Sequence, residues 1–563
     1  MQKYGELLGT LLEKRGIVDQ AQADIFINPS YERDLHDPFL MRDMEHACVR
    51  LYEAIDNKQK IIIYADYDCD GIPGAVILDD LFKKINYKNY EVYIPQRNSE
   101  GYGLNLDAIK QFADKGVKLL ITVDLGITAV AEVAQAEIDG IDVIITDHHL
   151  PGDILPRAYA ILNPKVDDYP EKMLCGAGVA FKLVQGFIKK YGGENGQFKI
   201  KEGAEKWMLD MAGLATLSDM VPLTGENRAI AYFGVKVFRK SPRPGLQKLL
   251  AQLKIDQKNI SEDDIGFMVT PRLNAASRMD DPMRAYELLS TEDEVEADTL
   301  AKHLTKINDE RKSIVAGVMR EVNKKFGTNS MRPVNEVIVI GSPTWRVGIL
   351  GLVAGKILDE YDKPVFVWGK DENDCIKGSC RSDGTVSVVE LMSETSESFL
   401  EFGGHELAGG FTVHNDKIHY LEEALSTSFQ KIKRPASELA GREKNYDVKS
   451  DLGLVNMKNW REIEKMAPFG LANPKPVFLF EGVKIEKIKK FGKNGSGEHL
   501  EIIFSDNNGN KAKAISFFSG LESFAKPLVE NIAVNLLATF DLSRFAGREE
   551  LRLRIEDIFW HLL

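Results

Sequence analysis

The chain has 563 residues, with 85 acidic against 72 basic side chains, a formal net charge of −13 and 44% hydrophobic residues. At roughly 150 residues per domain this predicts about three to four domains with several cores, and it excludes disordered and collagen-like classes. No apolar run approaches the ~18 residues of a membrane span, and the acidity argues against a nucleic-acid partner, since a phosphate backbone favours a basic one.

The N-terminus, MQKYGELLGTLLEKRG, places Glu6, Glu13, Lys14 and Arg15 where a signal peptide needs unbroken apolar residues. Cys48, Cys69, Cys175, Cys375 and Cys380 are too scattered for a disulfide framework or a thiolate zinc site, so a reduced, cytoplasmic protein is expected. Residues 1–58 read as a helical segment. From there apolar runs alternate with helical stretches: KIIIYAD (60–66), YEVYIPQ (90–96), KLLITVD (118–124) and IDVIITD (141–147). Strands each followed by a helix predict βαβ units and a parallel, doubly wound sheet. Its domain is placed at 59–290, with a long charged helix over 291–330 joining it to a second α/β domain at 331–435. Residues 436–475 read as a polar linker. From 476 to 563, short strands between turn signals such as KNGSG and DNNGN predict a small antiparallel barrel.

Three of the first four strands end in acid: Asp66, Asp68 and Asp70 in DYDCDG, then Asp124, then Asp147 before His148 and His149. Ligands of open α/β sheets bind outside the carboxyl ends of the strands, so these groups converge on one rim. A single aspartate here is ordinarily a helix N-cap. Five or six carboxylates together repel one another strongly without a cation. Oxygen ligands with one or two imidazoles suit Mn²⁺ or Mg²⁺ rather than a thiolate zinc site, and two such ions form a clamp for phosphoester hydrolysis.

DYDCDG, VDLGI and TDHH, in this order and spacing, resemble the motifs of the DHH phosphoesterase superfamily. GYGL (101–104), NPK (163–165), CGAGVAFKL (175–183), TLSDMVPLTGENR (216–228) and PRLNAASRM (271–279) extend the match. TWRVGILGLVAGKI (344–357), GSCRS (378–382) and GGHELAGGF (403–411) look like a DHHA1-type substrate domain. PFGLANPKPVF (468–478) precedes the barrel, as in the superfamily's single-strand-specific 5′→3′ DNA exonucleases of repair and recombination.

The resemblance implies two divalent cations, Mn²⁺ or Mg²⁺, held by Asp66, Asp68, Asp70, Asp124, His148 and Asp219. Asp124 would bridge, while Asp147 and the catalytic His149 orient the ligands. It directs Asn274, Arg278, Arg346, Ser379, Arg381, Gly403, Gly404 and His405 at substrate phosphates, including a terminal 5′ phosphate. Two positions depart from the family pattern: Arg346 stands where the family commonly has His, and Ser277 where it often has Gly. The barrel resembles an OB fold, which binds single strands with basic and aromatic side chains; its candidates are Lys484, Lys487, Lys489, Lys490, Phe491 and Lys493, with Phe517 or Phe518. Residues 475–563 carry 13 basic and 12 acidic side chains, so the acidity lies elsewhere, partly in the ligand cluster itself. That distribution reverses the inference drawn from net charge. The implied partners are single-stranded DNA, a helicase and a single-strand-binding protein, for a monomer with no membrane association. A small-substrate DHH phosphodiesterase and an inactive replication scaffold are the competing readings.

Overall fold

The computed structural model describes residues 3–97, 99–326, 335–371, 373–433, 446–492, 499–517, 519–524, 526–544 and 549–560. They fall into two compact units: residues 36–221 with 233–441, and residues 1–35 with 222–232 and 442–563.

The larger unit begins with a five-stranded, wholly parallel sheet: β1 (Lys60–Ala65), β2 (Tyr90–Tyr93), β3 (Val117–Val123), β4 (Asp142–Thr146) and β5 (Ala160–Leu162), in the order β2-β1-β3-β4-β5. β1 and β3 are nearly continuous runs of buried apolar residues, as expected of strands covered on both faces. Ile62, Tyr64, Leu120, Val143 and Ile145 share a core with the helices Leu106–Asp114 and Val130–Ile138. The helices Gly71–Lys84 and Gly176–Tyr191 pack against the strands as well. The chain order reverses between β1 and β3, so a crevice opens at their carboxyl ends.

One 33-residue helix, Glu294–Phe326, leads to the second sheet. Ala297, Leu300, Leu304, Val315, Val318 and Val322 form its buried stripe, the period-3.6 face that a long amphipathic helix needs. β6 (Ile338–Gly341), β7 (Val365–Lys370), β8 (Ile376–Arg381), β9 (Phe399–Gly404) and β10 (Ala408–Val413) then pair in the order β6-β7-β8-β10-β9. Only the β6–β7 pair is parallel.

The smaller unit is built on β11 (Val448–Ser450), β12 (Val477–Phe491), β13 (His499–Ser505), β14 (Lys511–Phe517), β15 (Ala533–Ser543) and β16 (Glu550–Phe559). Neighbours run β11-β12-β13-β14-β16-β15, and β15 pairs back onto β12. The ring therefore closes into a barrel, which leaves fewer free edges.

Two expected boundaries are corrected. The described part of the supposed linker, 446–475, is folded: β11 pairs with β12, and Met457–Glu464 is a helix. Its polar texture is that of a half-exposed surface element. The N-terminal segment also does not end at 58 as one piece. Leu8, Leu11, Leu12, Ala23 and Ile27 are buried in the same core as Phe478, Phe480, Leu536 and Ile558 of the barrel, whereas residues 36–58 belong with the parallel sheet. Buried polar groups fasten that arrangement. The Arg228 guanidinium lies 3.8 Å from the Phe26 ring centroid and donates to the carbonyls of Phe26, Ala467 and Pro468. Asn473, fully buried, donates to the carbonyls of Met466 and Pro468 and accepts from Arg15 Nε.

Candidate metal centre

The acids sit one step beyond three adjacent parallel strands. The ladder carries on past the strand ends: Asp66 N–H donates to Val123 O at 3.1 Å, Asp124 N–H to Thr146 O at 2.9 Å, and Asp147 N–H to Leu162 O at 3.1 Å. The side chains leave the sheet from fixed points in consequence. Asp124 has φ +62°, a left-handed conformation that Asp tolerates better than most residues and that marks functional turns. Against it lies Gly176, where an added Cβ would meet the Asp124 carboxylate at 2.5 Å. A side chain there would displace the acid.

Each carboxylate is held differently. Asp70 takes the N–H groups of Gly176 and Ala177 at 2.7 Å each, at the start of the helix Gly176–Tyr191, where the backbone favours an anion. Asp68 Oδ1 accepts from Asp70 N–H at 2.8 Å. By contrast, Asp66 Oδ1 and Asp124 Oδ1 are buried with no hydrogen-bond donor among the described residues. His148 Nε2 lies 3.2 Å from Asp124 Oδ1, 3.7 Å from Asp70 Oδ2 and 3.8 Å from Asp219 Oδ2. His149 Nδ1 lies 2.8 Å from Asp147 Oδ1, which also accepts the His148 and His149 N–H groups. Three groups of possible ligand atoms result: Asp66, Asp68 and Asp124; Asp70, His148 and Asp219; and Asp124, His148 and His149, each within 4.8 Å of one another.

Electrostatics make the cluster unstable alone. Burial, then the neighbouring carboxylates, push Asp66 and Asp124 well above the usual range. Burial and Asp68 push Asp70 up to about 6, despite its two backbone donors. Asp219 keeps 31% of its side chain accessible. Burial, Asp70 and Asp68 still raise it to about 9. Burial, followed by the charge of His149, brings His148 down to about 3, which keeps the ring neutral and able to donate a lone pair. Burial would lower His149 too, but the Asp147 carboxylate outweighs it and raises that ring.

Oxygen-rich groups, one neutral imidazole and two orphaned buried oxygens fit hard divalent cations such as Mn²⁺ or Mg²⁺. The structure brings Asp66, Asp68, Asp70, Asp124, His148 and Asp219 together as possible ligands, with His149 among the candidates as well.

The other expected site residues are distributed unevenly. Asn274 Oδ1 accepts from Cys69 N–H at 2.8 Å, so it braces the DYDCDG loop. Arg278 donates to Gly348 O at 3.1 Å, and burial, then the charges of Arg97 and Arg311, lower it to about 9. Ser379 and Arg381 are half-buried neighbours on β8, joined by a 3.2 Å hydrogen bond. His405 is exposed, with its ring centroid 6.4 Å from that of His149 and nearly parallel to it. Its N–H donates to Ala408 O across the β9–β10 turn. Gly403 and Gly404 end β9, and at Gly404, φ +142°, an added Cβ would strike Ala408 O. Ser277 is buried, its hydroxyl turned back to Asn274 O. Arg346 is exposed and lines a groove of about 770 Å³ with Lys302, Lys306, Asp309 and Glu310 of the long helix.

In the smaller unit, Lys484, Lys487, Lys489 and Lys490 project from β12 into solvent, and Lys487, Lys489 and Lys490 have no carboxylate within 4.0 Å among the described residues. Phe491, His499 and Phe517 stand side by side across β12, β13 and β14, with ring centroids 5.2 and 5.6 Å apart. Lys493 and Phe518 lie outside the described residues.

Sequence reasoning assigned no role to three residues that border the metal cluster. The Arg97 guanidinium lies 4.9 Å from the Tyr67 ring centroid, and its charge reaches Asp66, Arg278 and Arg381. Tyr102 Oη reaches Asp124 O and His149 Nδ1, each at 3.2 Å. Asn163 Nδ2 donates to His149 O at 3.0 Å. Tyr102 and Asn163 lie in the GYGL and NPK motifs, whose spacing alone names no chemistry.

Comparison with known proteins identifies the family. Residues 60–216 match the DHH family N-terminal domain, 334–434 the DHHA1 domain and 446–557 the RecJ OB domain. Over 554 residues the chain is 32% identical to the single-stranded-DNA-specific exonuclease RecJ of Bacillus subtilis, covering 98% of this chain and 67% of that one. The RecJ of Haemophilus influenzae is 30% identical over 541 residues, which is 93% of this chain and 92% of the relative.

The chain belongs to the RecJ family.

The fold agrees. A crystal structure of RecJ from Thermus thermophilus in complex with Mn²⁺ superposes with a TM-score of 0.81 at 24% identity, covering 100% of this chain and 77% of that one. The RecJ OB domain match starts at residue 446, the first described residue after 433, in keeping with the folded stretch 446–475. Both the family and the fold class read from the motifs are upheld, including the parallel DHH sheet, the DHHA1 domain and the OB barrel.

Proposed function

We propose that this chain is a single-stranded-DNA-specific exonuclease that hydrolyses phosphodiester bonds from the 5′ end, with two divalent cations in the cluster around Asp124. The carrying observation is the pair of ligand groups, Asp66–Asp68–Asp124 and Asp70–His148–Asp219, joined where His148 Nε2 approaches Asp124 Oδ1 at 3.2 Å. RecJ relatives are named for this activity.

Asp66, Asp68, Asp70, Asp124, His148 and Asp219 would hold Mn²⁺ or Mg²⁺, which when bound supplies Lewis acidity toward the phosphodiester and lowers the pKa of water. The chain's own groups do the rest. Asp147 and Tyr102 fix His149, and Asp70's backbone donors fix its carboxylate, so the cluster is preorganised. Arg278 and Arg381 offer guanidinium forks for phosphate oxygens, with Ser379 beside Arg381 and His405 facing His149. A terminal 5′ phosphate bound by these groups would account for the proposed polarity. The lysines of β12 and the row Phe491–His499–Phe517 suit the backbone and bases of a single strand.

No helix among the described residues is long and apolar enough to cross a membrane, and a cytoplasmic enzyme accords with five unpaired cysteines. An enzyme confined to single strands needs duplex DNA opened for it, which makes a helicase its functional partner and a single-strand-binding protein its neighbour on the strand.

The test uses single-stranded and duplex oligonucleotides labelled at either end, with Mn²⁺. Release of mononucleotides from the 5′ end of long single strands, with blunt duplex spared, is the expected result. Activity confined to two- to five-mers would instead identify a small-substrate phosphodiesterase, and none at all would identify an inactive scaffold.

A further inference from the structure

Lys165 closes the NPK turn directly after β5. Its ammonium donates to the carbonyl of His148. Asn163 beside it donates to the carbonyl of His149 and accepts the Lys165 N–H at 2.9 Å. One short turn thus grips both histidines by their main chain. The Lys165 side chain is half-buried, and among the described residues no carboxylate oxygen lies within 4.0 Å of its ammonium. It is nonetheless close enough for its charge to be felt at His148, His149, Asp219 and His405.

This is an unusual place for a lysine. A purely structural tie to a carbonyl could be made by a neutral donor. An ammonium has three donors, and the carbonyl of His148 takes one. Among the described residues no ion pair occupies the remaining N–H groups, and the charge is felt at Asp219 and His405. Compact, cationic lysines serve as point-charge contacts for phosphate.

We propose that Lys165 is a substrate-positioning residue: anchored on the His148 carbonyl, it directs its free N–H groups at a nonbridging oxygen of the scissile phosphate. This rests on the phosphodiesterase reading above. It adds a cation on the DHH domain, distinct from Arg278, Ser379, Arg381 and His405.

The test compares wild type, Lys165→Met and Lys165→Arg as full chains, measuring Mn²⁺ affinity by calorimetry and kcat and KM on a long single strand at saturating Mn²⁺. Loss of one charge-assisted phosphate contact predicts that Lys165→Met lowers kcat/KM by about 10- to 100-fold, leaves the Mn²⁺ Kd within about threefold and is partly rescued by Lys165→Arg. If Lys165→Met weakens Mn²⁺ binding and excess Mn²⁺ restores the rate, Lys165 acts only through the His148 loop, and the proposal is overturned. An unchanged rate overturns it too. Should Lys165→Met fail to fold, Lys165→Arg decides: a lowered kcat/KM at unchanged Mn²⁺ Kd supports the contact, and a change confined to Kd rejects it. A wild type that leaves single strands intact sinks the exonuclease reading itself.

Discussion

Asp124 and His148 stand 3.2 Å apart although they are 24 positions apart in sequence, because each follows the end of one of two adjacent parallel strands. Asp124 belongs to one ligand group with Asp66 and Asp68, and His148 to another with Asp70 and Asp219. Their approach joins the two groups on which the proposed chemistry rests. Replacing Asp124 by Asn keeps the shape but removes a buried charge that, among the described residues, has no donor on Oδ1. The variant should lose at least about 100-fold in nuclease rate, while the metal-free protein melts at a higher temperature than wild type because carboxylate repulsion is relieved.

The raised acids set a pH dependence of definite sign. An unfolded Asp titrates near ~4, whereas folded Asp70 and Asp219 titrate at about 6 and about 9. A raised acid binds its proton more tightly when folded. The stability these two groups contribute to the metal-free protein is therefore fully present below ~4 and is lost as pH climbs through 6 towards 9. Cations compete with those protons. At pH 7 Mn²⁺ binding should release about one proton or more, with Asp219, Asp66 and Asp124 as sources, which calorimetry in buffers of different ionisation enthalpy will report.

Asp147 illustrates control of the cluster from outside it. Its carboxylate receives Ile127 N–H at 2.9 Å and lies 2.8 Å from His149 Nδ1, and it stays ionised because those partners outweigh its burial. Asp147→Asn should weaken Mn²⁺ binding by about 10- to 100-fold, measured by titration of the metal-free protein.

Asn274 separates two roles cleanly. Its 2.8 Å contact with Cys69 N–H makes it a brace for the aspartate loop. Asn274→Ala should raise the Mn²⁺ Kd and leave the KM for DNA, at saturating Mn²⁺, nearly unchanged. A phosphate contact would give the opposite pattern.

The shared core of the N-terminal helices and barrel predicts a long-range stability effect. Leu11 is fully buried there. Leu11→Ala should cost about 2–5 kcal/mol and speed hydrogen exchange in β12, some 470 residues away in sequence.

Much of the parallel domain was legible because its physics is local. Apolar runs of strand length end in acid, and a parallel sheet brings such ends together. Asp219 shows the limit: it caps the helix Leu209–Ser218, and a helix-end aspartate carries no pattern until the fold sets it beside His148. Asn274 was expected to face substrate phosphate, whereas the contact it makes in the structure is with the Cys69 backbone, which no spacing reveals. The stretch 446–475 looked like a linker because its elements are short and their apolar partners lie in distant strands. For the same reason the helices of residues 6–27 gave no sign that the barrel core was their destination.

The most direct measurement is an anomalous difference map from crystals grown with Mn²⁺. Two peaks are expected, one among Asp66, Asp68 and Asp124 and the other among Asp70, His148 and Asp219, with Asp124 contacting both. A lone peak, or ions held by groups other than these, would contradict the account.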